Sequence, residues 1–312
     1  MGSGGARGWA HIGVLDALTE AGIEPDIIGG TSMGALVGGV YASGGHEALQ
    51  EWALSANRRT IGSLIDVNLT SGGLIDGKRI VEWLGALRIA EDIEQTRIPF
   101  SAVATDLATG REVWLQEGPL DRAIRASISL PGIFSPVKEA DGWLVDGGLV
   151  NPVPVSLCRA MGADFIIAVN LNEDLLGRRF AAEVPVVPDR EPQKASNWLD
   201  QVHSIPETVA SRLSTMRLFG NRGTIPGYFD VLGNALNIMQ DHITRSRLAG
   251  EPPHALVLPR VIDIRLMDFH RAREAIAEGR AAAQRALPAI EAKLSALGWS
   301  DLSLRYRPDS RL

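Results

Sequence analysis

One pentapeptide, Gly30-Thr31-Ser32-Met33-Gly34, narrows the folds open to this chain more than any other stretch. It follows the apolar run Pro25-Asp26-Ile27-Ile28-Gly29 and opens a small, apolar segment that extends to Ala42. An apolar strand, a sharp turn with glycine on both sides of a serine, and a helix hidden from water form the strand–turn–helix unit of a nucleophile elbow. Gly30 and Gly34 lack the side chains that would block the close backbone approach such a turn demands. The helix N-terminus behind Ser32 places partial positive charge near any oxyanion formed there.

The surrounding pattern extends this unit into an α/β domain. Residues 7–20 read as a buried helix carrying Ile12, Leu15 and Leu18. Further strands are expected at residues 100–104, 112–115, 143–145 and 165–169, the last a run of Phe165-Ile166-Ile167-Ala168-Val169. The order strand, helix, strand predicts a three-layer α/β fold, with a largely parallel central sheet flanked by helices. Composition shifts near Leu176, where Val184-Pro185-Val186-Val187-Pro188 reads as a linker. Beyond it Trp198, Val202, Val209, Leu213 and Met216 recur at helical spacing, interrupted by Pro206. Strand character returns at residues 256–258, residues 261–264 read as another edge, and a helix is expected over 268–297, bent at Pro288. The division is therefore a catalytic core at 1–175, a variable linker or cover at 176–228, a completing unit at 229–300 and a tail at 301–312.

Composition excludes several classes. The 312 residues carry a net charge of −6, which argues against a nucleic-acid partner. The single cysteine, Cys158, permits no intrachain disulfide; it reads as an apolar filler and is compatible with a cytoplasmic location. No run of about 18 apolar residues is present, and the start has neither charged leader nor apolar core. Contact with lipid is thus expected to be peripheral to a membrane.

Two more patterns carry chemistry. Gly4-Gly5-Ala6-Arg7-Gly8 opens the first helix, where backbone N–H groups can hold negative charge. It lacks the terminal Gly-Lys-Ser/Thr of a phosphate-binding loop and the register of a dinucleotide fingerprint. An oxyanion hole, with Arg7 supporting its charge, is the better functional reading. Asp146-Gly147-Gly148 follows Trp143-Leu144-Val145, so an aspartate stands at a strand end with two glycines that allow close approach.

Together these motifs resemble the patatin-like phospholipase family. The likeness extends along GSGGARGWAHIGVL at residues 2–15, ASISLPGIF at 126–134 and from Asp146 to Pro154, and is similar to the bacterial and neuropathy-target-esterase-like branch. It covers residues 2–175, recurs at 236–252 and 270–279, and is poor over 176–228. The resemblance implies Ser32 as nucleophile and Asp146 as its base. It implies an oxyanion hole from Gly4, Gly5, Arg7 and Gly8, with Gly30, Gly34, Gly147 and Gly148 supporting the motifs. The implied reaction is hydrolysis of an acyl ester of a (lyso)phospholipid or related lipid through an acyl-enzyme, with no cofactor and no metal. Two departures stand out: Ser3 replaces a usual third glycine, and Met1 stands where the family has a strand before the loop.

A triad would need a histidine between serine and acid, and none of His11, His46, His203, His242, His254 and His270 has flanks that mark one. A Ser-His-Asp esterase or acyltransferase stays as one alternative, and a non-catalytic module binding lipid or a partner as another. Ser127 and Ser129 are read either as cleft residues or as satisfied hydroxyls at a helix end. The stripe from Trp198 to Phe219 is read as a cover or membrane contact, or as a face packed on the domain.

Overall fold

The computed structural model describes residues 1–66, 73–87, 89–139, 142–173 and 228–299. The expected cover residues Trp198, Val202, Leu213, Met216, Leu218 and Phe219, His203 and the tail at 301–312 lie outside the described residues.

Among the described residues seven strands are formed: β1 (Ile28–Thr31), β2 (Phe100–Asp106), β3 (Glu112–Leu115), β4 (Val137–Glu139), β5 (Gly142–Asp146), β6 (Ile167–Val169) and β7 (Ala255–Val257). The helices are α1 (Ala10–Glu20), α2 (Met33–Ala42), α3 (His46–Ser55), α4 (Arg58–Ser63), α5 (Lys78–Ala86), α6 (Leu120–Ser127), α7 (Val155–Ala160), α8 (Tyr228–Gly250) and α9 (Ala272–Ala296). The helix expected from residue 7 begins instead as a single tight turn, Gly5–Trp9, that runs into α1. The run at 261–264 is a turn rather than a strand, closed by Ile264 N–H donating to Val261 O at 3.1 Å. Its apolar residues Val261 and Ile264 are nonetheless buried.

Helices flank the sheet as expected, but the sheet is mixed rather than largely parallel. β1 pairs parallel with β2, whereas β2–β3, β2–β5 and β4–β5 are antiparallel. For β2 and β3 the reason is the length of the connection. A parallel neighbour needs a crossover of roughly a dozen residues, while β2 turns into β3 through a short loop. Asp106 closes that loop by accepting from Thr109 N–H at 2.7 Å, and Gly110 turns the chain with φ +69°.

The register of β2 positions everything that follows. Ala102 and Val103 pair with β1 and β3 at once, and Ala104 and Thr105 pair with β3 and β5 at once. β3 therefore takes one edge of β2, and β1 and β5 share the other. Because β1 runs with β2 and β5 against it, their C-terminal ends point at each other. Thr31 lies opposite Val103, and Asp146 lies opposite Ala104.

A parallel pair, β6 and β7, stands beyond β1. Met1 and Gly2 occupy the space between: the Met1 amino group donates to Gly29 O at 2.7 Å, Thr31 N–H to Met1 O at 3.1 Å, and Gly2 N–H to Val169 O at 3.0 Å. The edge of β1 in front of the glycine loop is thus hydrogen-bonded to Met1.

The long helix α9 packs on α1 through glycines on both sides. A Cβ on Gly13 would sit 1.9 Å from Ile276 O, and one on Gly279 would sit 1.9 Å from Ala10 O. This contact brings Ile276, Ala282 and Ala283 into one core with Ile12, Val14 and Leu18. Gly13→Ala is therefore expected to destabilise the fold by about 1–3 kcal/mol, the usual scale for an overpacked core. Gly85→Ala, in α5 with open space around it, should leave stability unchanged or raise it by up to ~1 kcal/mol. Denaturant unfolding of the two variants checks this; equal midpoints would show that α1 and α9 do not meet so closely.

Candidate active site

Ser32 stands between β1 and α2 with φ 55° and ψ −124°, and is the one non-glycine residue of positive φ among the described residues. Such backbone costs about 1–3 kcal/mol and persists only where neighbours over-determine it. They do so here. A Cβ on Gly30 would lie 2.5 Å from Ala35 Cα, and one on Gly34 would lie 2.3 Å from Met1 O, so the turn can be this tight only with glycine at both places. Ser32 N–H donates to Ser127 Oγ at 2.8 Å, and Ser127 Oγ donates onward to Val103 O at 2.6 Å. One buried hydroxyl thereby ties the serine's backbone to the middle of β2.

Asp146 arrives from the opposite direction, at the end of β5. Its main chain is held on both sides, with Asp146 N–H donating to Ser129 O at 3.0 Å and Thr105 Oγ1 to Asp146 O at 2.8 Å. Gly147 follows because a Cβ there would come within 2.2 Å of Val103 O. The two ends that β2 brings together meet in a direct side-chain contact: Ser32 Oγ donates to Asp146 Oδ2 at 2.6 Å. Asp146 Oδ1 accepts from Gly148 N–H at 2.7 Å. Burial in this apolar setting raises the Asp146 carboxyl to about 6, while the bonds from Ser32 and Gly148 pull the other way. Folding therefore favours the neutral carboxyl. That contribution is present below the ordinary value near 4 and is lost as the pH rises through about 6.

The glycine loop lies on the other side of Ser32. Ser3 N–H donates to Pro152 O at 2.8 Å and Ala6 N–H to Leu266 O at 2.9 Å. Between them, the N–H groups of Gly4 and Gly5 have no acceptor among the described residues. Arg7 is buried, and both its N–H and its Nε donate to Gly4 O, at 3.3 and 3.0 Å, while Nη2 donates to Asn237 Oδ1 at 2.7 Å. Gly8 packs on Met33, where a Cβ would lie 2.3 Å from Met33 Cβ. Of the four expected oxyanion residues, then, Gly4 and Gly5 border the cavity, whereas Arg7 lies outside its lining on Gly4 O and Gly8 lies outside it on Met33.

That cavity joins Ser32 and Asp146 to a long apolar wall. Trp9, Trp52 and Trp83 form one side, in ring contact at centroid distances of 6.0 and 4.5 Å, with Ile61, Leu64, Ile80 and Ile133 beside them. Its polar side chains are Ser3, Ser32, Asp146, Asn237 and Gln240, all at one end with Gly4 and Gly5. No histidine lines it among the described residues. His11 is buried with Nε2 on Gly2 O at 2.8 Å, and burial pushes it down to about 3, so it stays neutral. His46 pairs with Asp16 in the α1–α3 contact, and His254 Nδ1 accepts from Ile166 N–H.

Of the two readings of Ser127 and Ser129 the second holds, and two further features carry no signal in the sequence. Ser127 and Ser129 do not line the cavity; they brace the backbones of Ser32 and Asp146, as a helix end with satisfied hydroxyls. Asn237 and Gln240, in a stretch read only as helical completion, are buried beside the glycine loop. The apolar wall draws on residues far apart in the chain, from Trp9 to Phe269.

Comparison with known proteins identifies the family. Residues 1–159 match the family model described as patatin-like phospholipase. An uncharacterized NTE family protein of Mycobacterium tuberculosis is 35% identical over 336 aligned residues, covering 93% of this chain and 91% of that protein. The human patatin-like phospholipase domain-containing protein 6 is 34% identical over 179 residues, which cover 55% of this chain and 13% of that protein. The crystal structure of VipD from Legionella pneumophila superposes with a TM-score of 0.44 at 14% identity, over 91% of this chain and 65% of that one. On the family match and the length of the mycobacterial alignment, this chain belongs to the patatin-like phospholipase family, on its NTE-like branch, and is an enzyme of the phospholipase and esterase class.

Proposed function

We propose that the enzyme hydrolyses acyl esters of (lyso)phospholipids or related lipids through a Ser32–Asp146 dyad. The observation that carries this reading is the direct 2.6 Å hydrogen bond from Ser32 Oγ to Asp146 Oδ2, which leaves no space for an imidazole between them. Ser32 Oγ attacks the ester carbonyl carbon as its proton passes to Asp146 Oδ2. The carbonyl oxygen becomes an oxyanion that receives the N–H groups of Gly4 and Gly5. Collapse breaks the C–O bond to the alcohol, whose oxygen takes the proton from Asp146, and the acyl group stays on Ser32. Water then attacks the acyl carbon, gives its proton to Asp146, and the returning Ser32 oxygen recovers that proton as the acid leaves.

Each part of the site suits a step. A carboxyl raised to about 6 is a better proton acceptor than an ordinary aspartate and is still ionised at neutral pH. Ser32 N–H is engaged by Ser127, so the oxyanion falls to the glycine loop. The apolar wall from Trp9 to Trp83 takes the acyl chain, which would otherwise have to leave its aggregate for water. Among the described residues no helix is long and apolar enough to cross a membrane. Peripheral contact with a lipid surface is accordingly part of this proposal.

Ser32→Ala is expected to remove about three to six orders of magnitude of esterase activity. Retention of more than a few per cent, in a preparation free of host esterase, would end the assignment. Asp146→Asn should be nearly as inactive and should lose fluorophosphonate labelling at Ser32. It should nevertheless melt at or above the wild-type temperature at pH 8, because the amide can still accept from Gly148 and removes a buried charge.

In the wild type, kcat/KM should rise with pH through an apparent pKa near 6 as Asp146 ionises, and fall about tenfold per unit below it. A profile flat from pH 5 to 8 would exclude Asp146 as the base. Ser127→Ala leaves Ser32 N–H and Val103 O without their buried partner. It should reduce stability by about 1–3 kcal/mol and kcat by roughly tenfold or more, measured by unfolding and by turnover of a soluble p-nitrophenyl ester.

A further inference from the structure

Helix α8 lies beyond the segment that holds the motifs, yet two of its carboxamides border the cavity next to Ser32. Asn237 and Gln240 stand three residues apart, hence on one helix face, and are 9% and 7% exposed. Asn237 Oδ1 accepts from Arg7 Nη2 at 2.7 Å, and Arg7 Nε donates to Gly4 O at 3.0 Å. Gln240 Oε1 accepts from Ser3 Oγ at 3.1 Å and from Asn172 Nδ2 at 3.1 Å. One turn of α8 therefore grips the glycine loop at Ser3 and, through the guanidinium, at Gly4. The same turn reaches the carboxylate side of the site: a methyl group on Gly148 would lie 2.5 Å from Gln240 Nε2 and 3.0 Å from Asp146 Oδ1.

The loop needs such ties. Gly4 and Gly5 have little conformational preference of their own, and Gly5 takes φ +55°. Donors help an oxyanion only when held near ~3 Å from where its charge develops, and a misplacement of about 1 Å can remove roughly 100-fold in rate. We propose that Asn237 and Gln240 are positioning residues of the oxyanion hole. Through Arg7 and Ser3 they hold the N–H groups of Gly4 and Gly5 on the tetrahedral intermediate, touching no reacting atom themselves. The inference rests on the Ser32–Asp146 reading, and it places a necessary part of the catalytic apparatus in residues 228–250.

The test uses the full chain with Asn237→Leu, Gln240→Met and Asn237→Asp. The number of competent sites is first counted by fluorophosphonate labelling carried to completion. Turnover of p-nitrophenyl butyrate is then expressed per labelled site. Affinity is measured for a short alkyl trifluoromethyl ketone, whose adduct with Ser32 carries an oxyanion. Asn237→Leu and Gln240→Met should lower kcat per site by roughly 10- to 100-fold with KM changed less than about threefold, and should weaken the ketone by the same factor as kcat/KM. Asn237→Asp keeps the acceptor for Arg7 and should recover most of the loss. If only melting temperature or the labelled fraction falls, with kcat per site intact, the two residues are merely structural. If kcat falls while ketone affinity holds, they act on something other than the oxyanion; either result overturns the proposal. Should Asn237→Leu fail to fold, Gln240→Met against wild type carries the same comparison. A wild type unlabelled at Ser32 would sink the dyad reading instead.

Discussion

The arrangement on which this site depends is the head-on meeting of two strands along one edge of β2. A strand edge normally pairs with a single neighbour over its length. Here β3 occupies one edge, so β1 and β5 must divide the other, and their opposite directions bring their C-terminal ends together between Val103 and Ala104. Side chains 114 residues apart in the chain thereby come within 2.6 Å. Gly147 lets β5 end against the Val103 carbonyl, and Ser127 uses the same carbonyl to hold the Ser32 backbone. A single peptide unit in the middle of β2 is the reference point for both Ser32 and Asp146.

That geometry is held against two unfavourable terms. Ser32 adopts a conformation that a residue with a Cβ avoids, and Asp146 is a carboxyl removed from water. Neither would survive in a loosely packed surround, since strain relaxes and charge attracts solvent. The bonds from Ser32 and Gly148 to the carboxylate, the Ser127 relay and the close contacts at Gly30 and Gly34 offset them in part. The remainder rests on the core that α1 and α9 build behind the glycine loop. Trp9 joins the two regions, since its ring lines the cavity while its indole N–H donates to Phe269 O just before α9.

Much of the fold was legible because short-range patterns carried it. α2 and β3 lie where apolar periodicity puts them, and β2, β5, β6 and β7 differ from expectation only at their ends. Alternation of strands with helices points to a parallel sheet, whereas the short Asp106–Gly110 turn dictates a hairpin. The run at 261–264 is apolar because it is buried, and burial alone does not distinguish a strand from a turn. Asn237 and Gln240 had no local signal, since polar residues on a helix usually mark its solvated face; here that face is pressed on the glycine loop.

The amino-acid sequence by itself determined the strand–turn–helix at Ser32, the aspartate at a strand end and the glycine loop, because each depends on residues within about ten positions of one another. Only the tertiary structure decided that serine and aspartate touch without a histidine between them, that Arg7 turns its guanidinium to Gly4 O and Asn237, and that one face of α8 borders the cavity. Those outcomes depend on which strand edges are already occupied and which helix face is covered, and such exclusions exist only once the whole chain has packed.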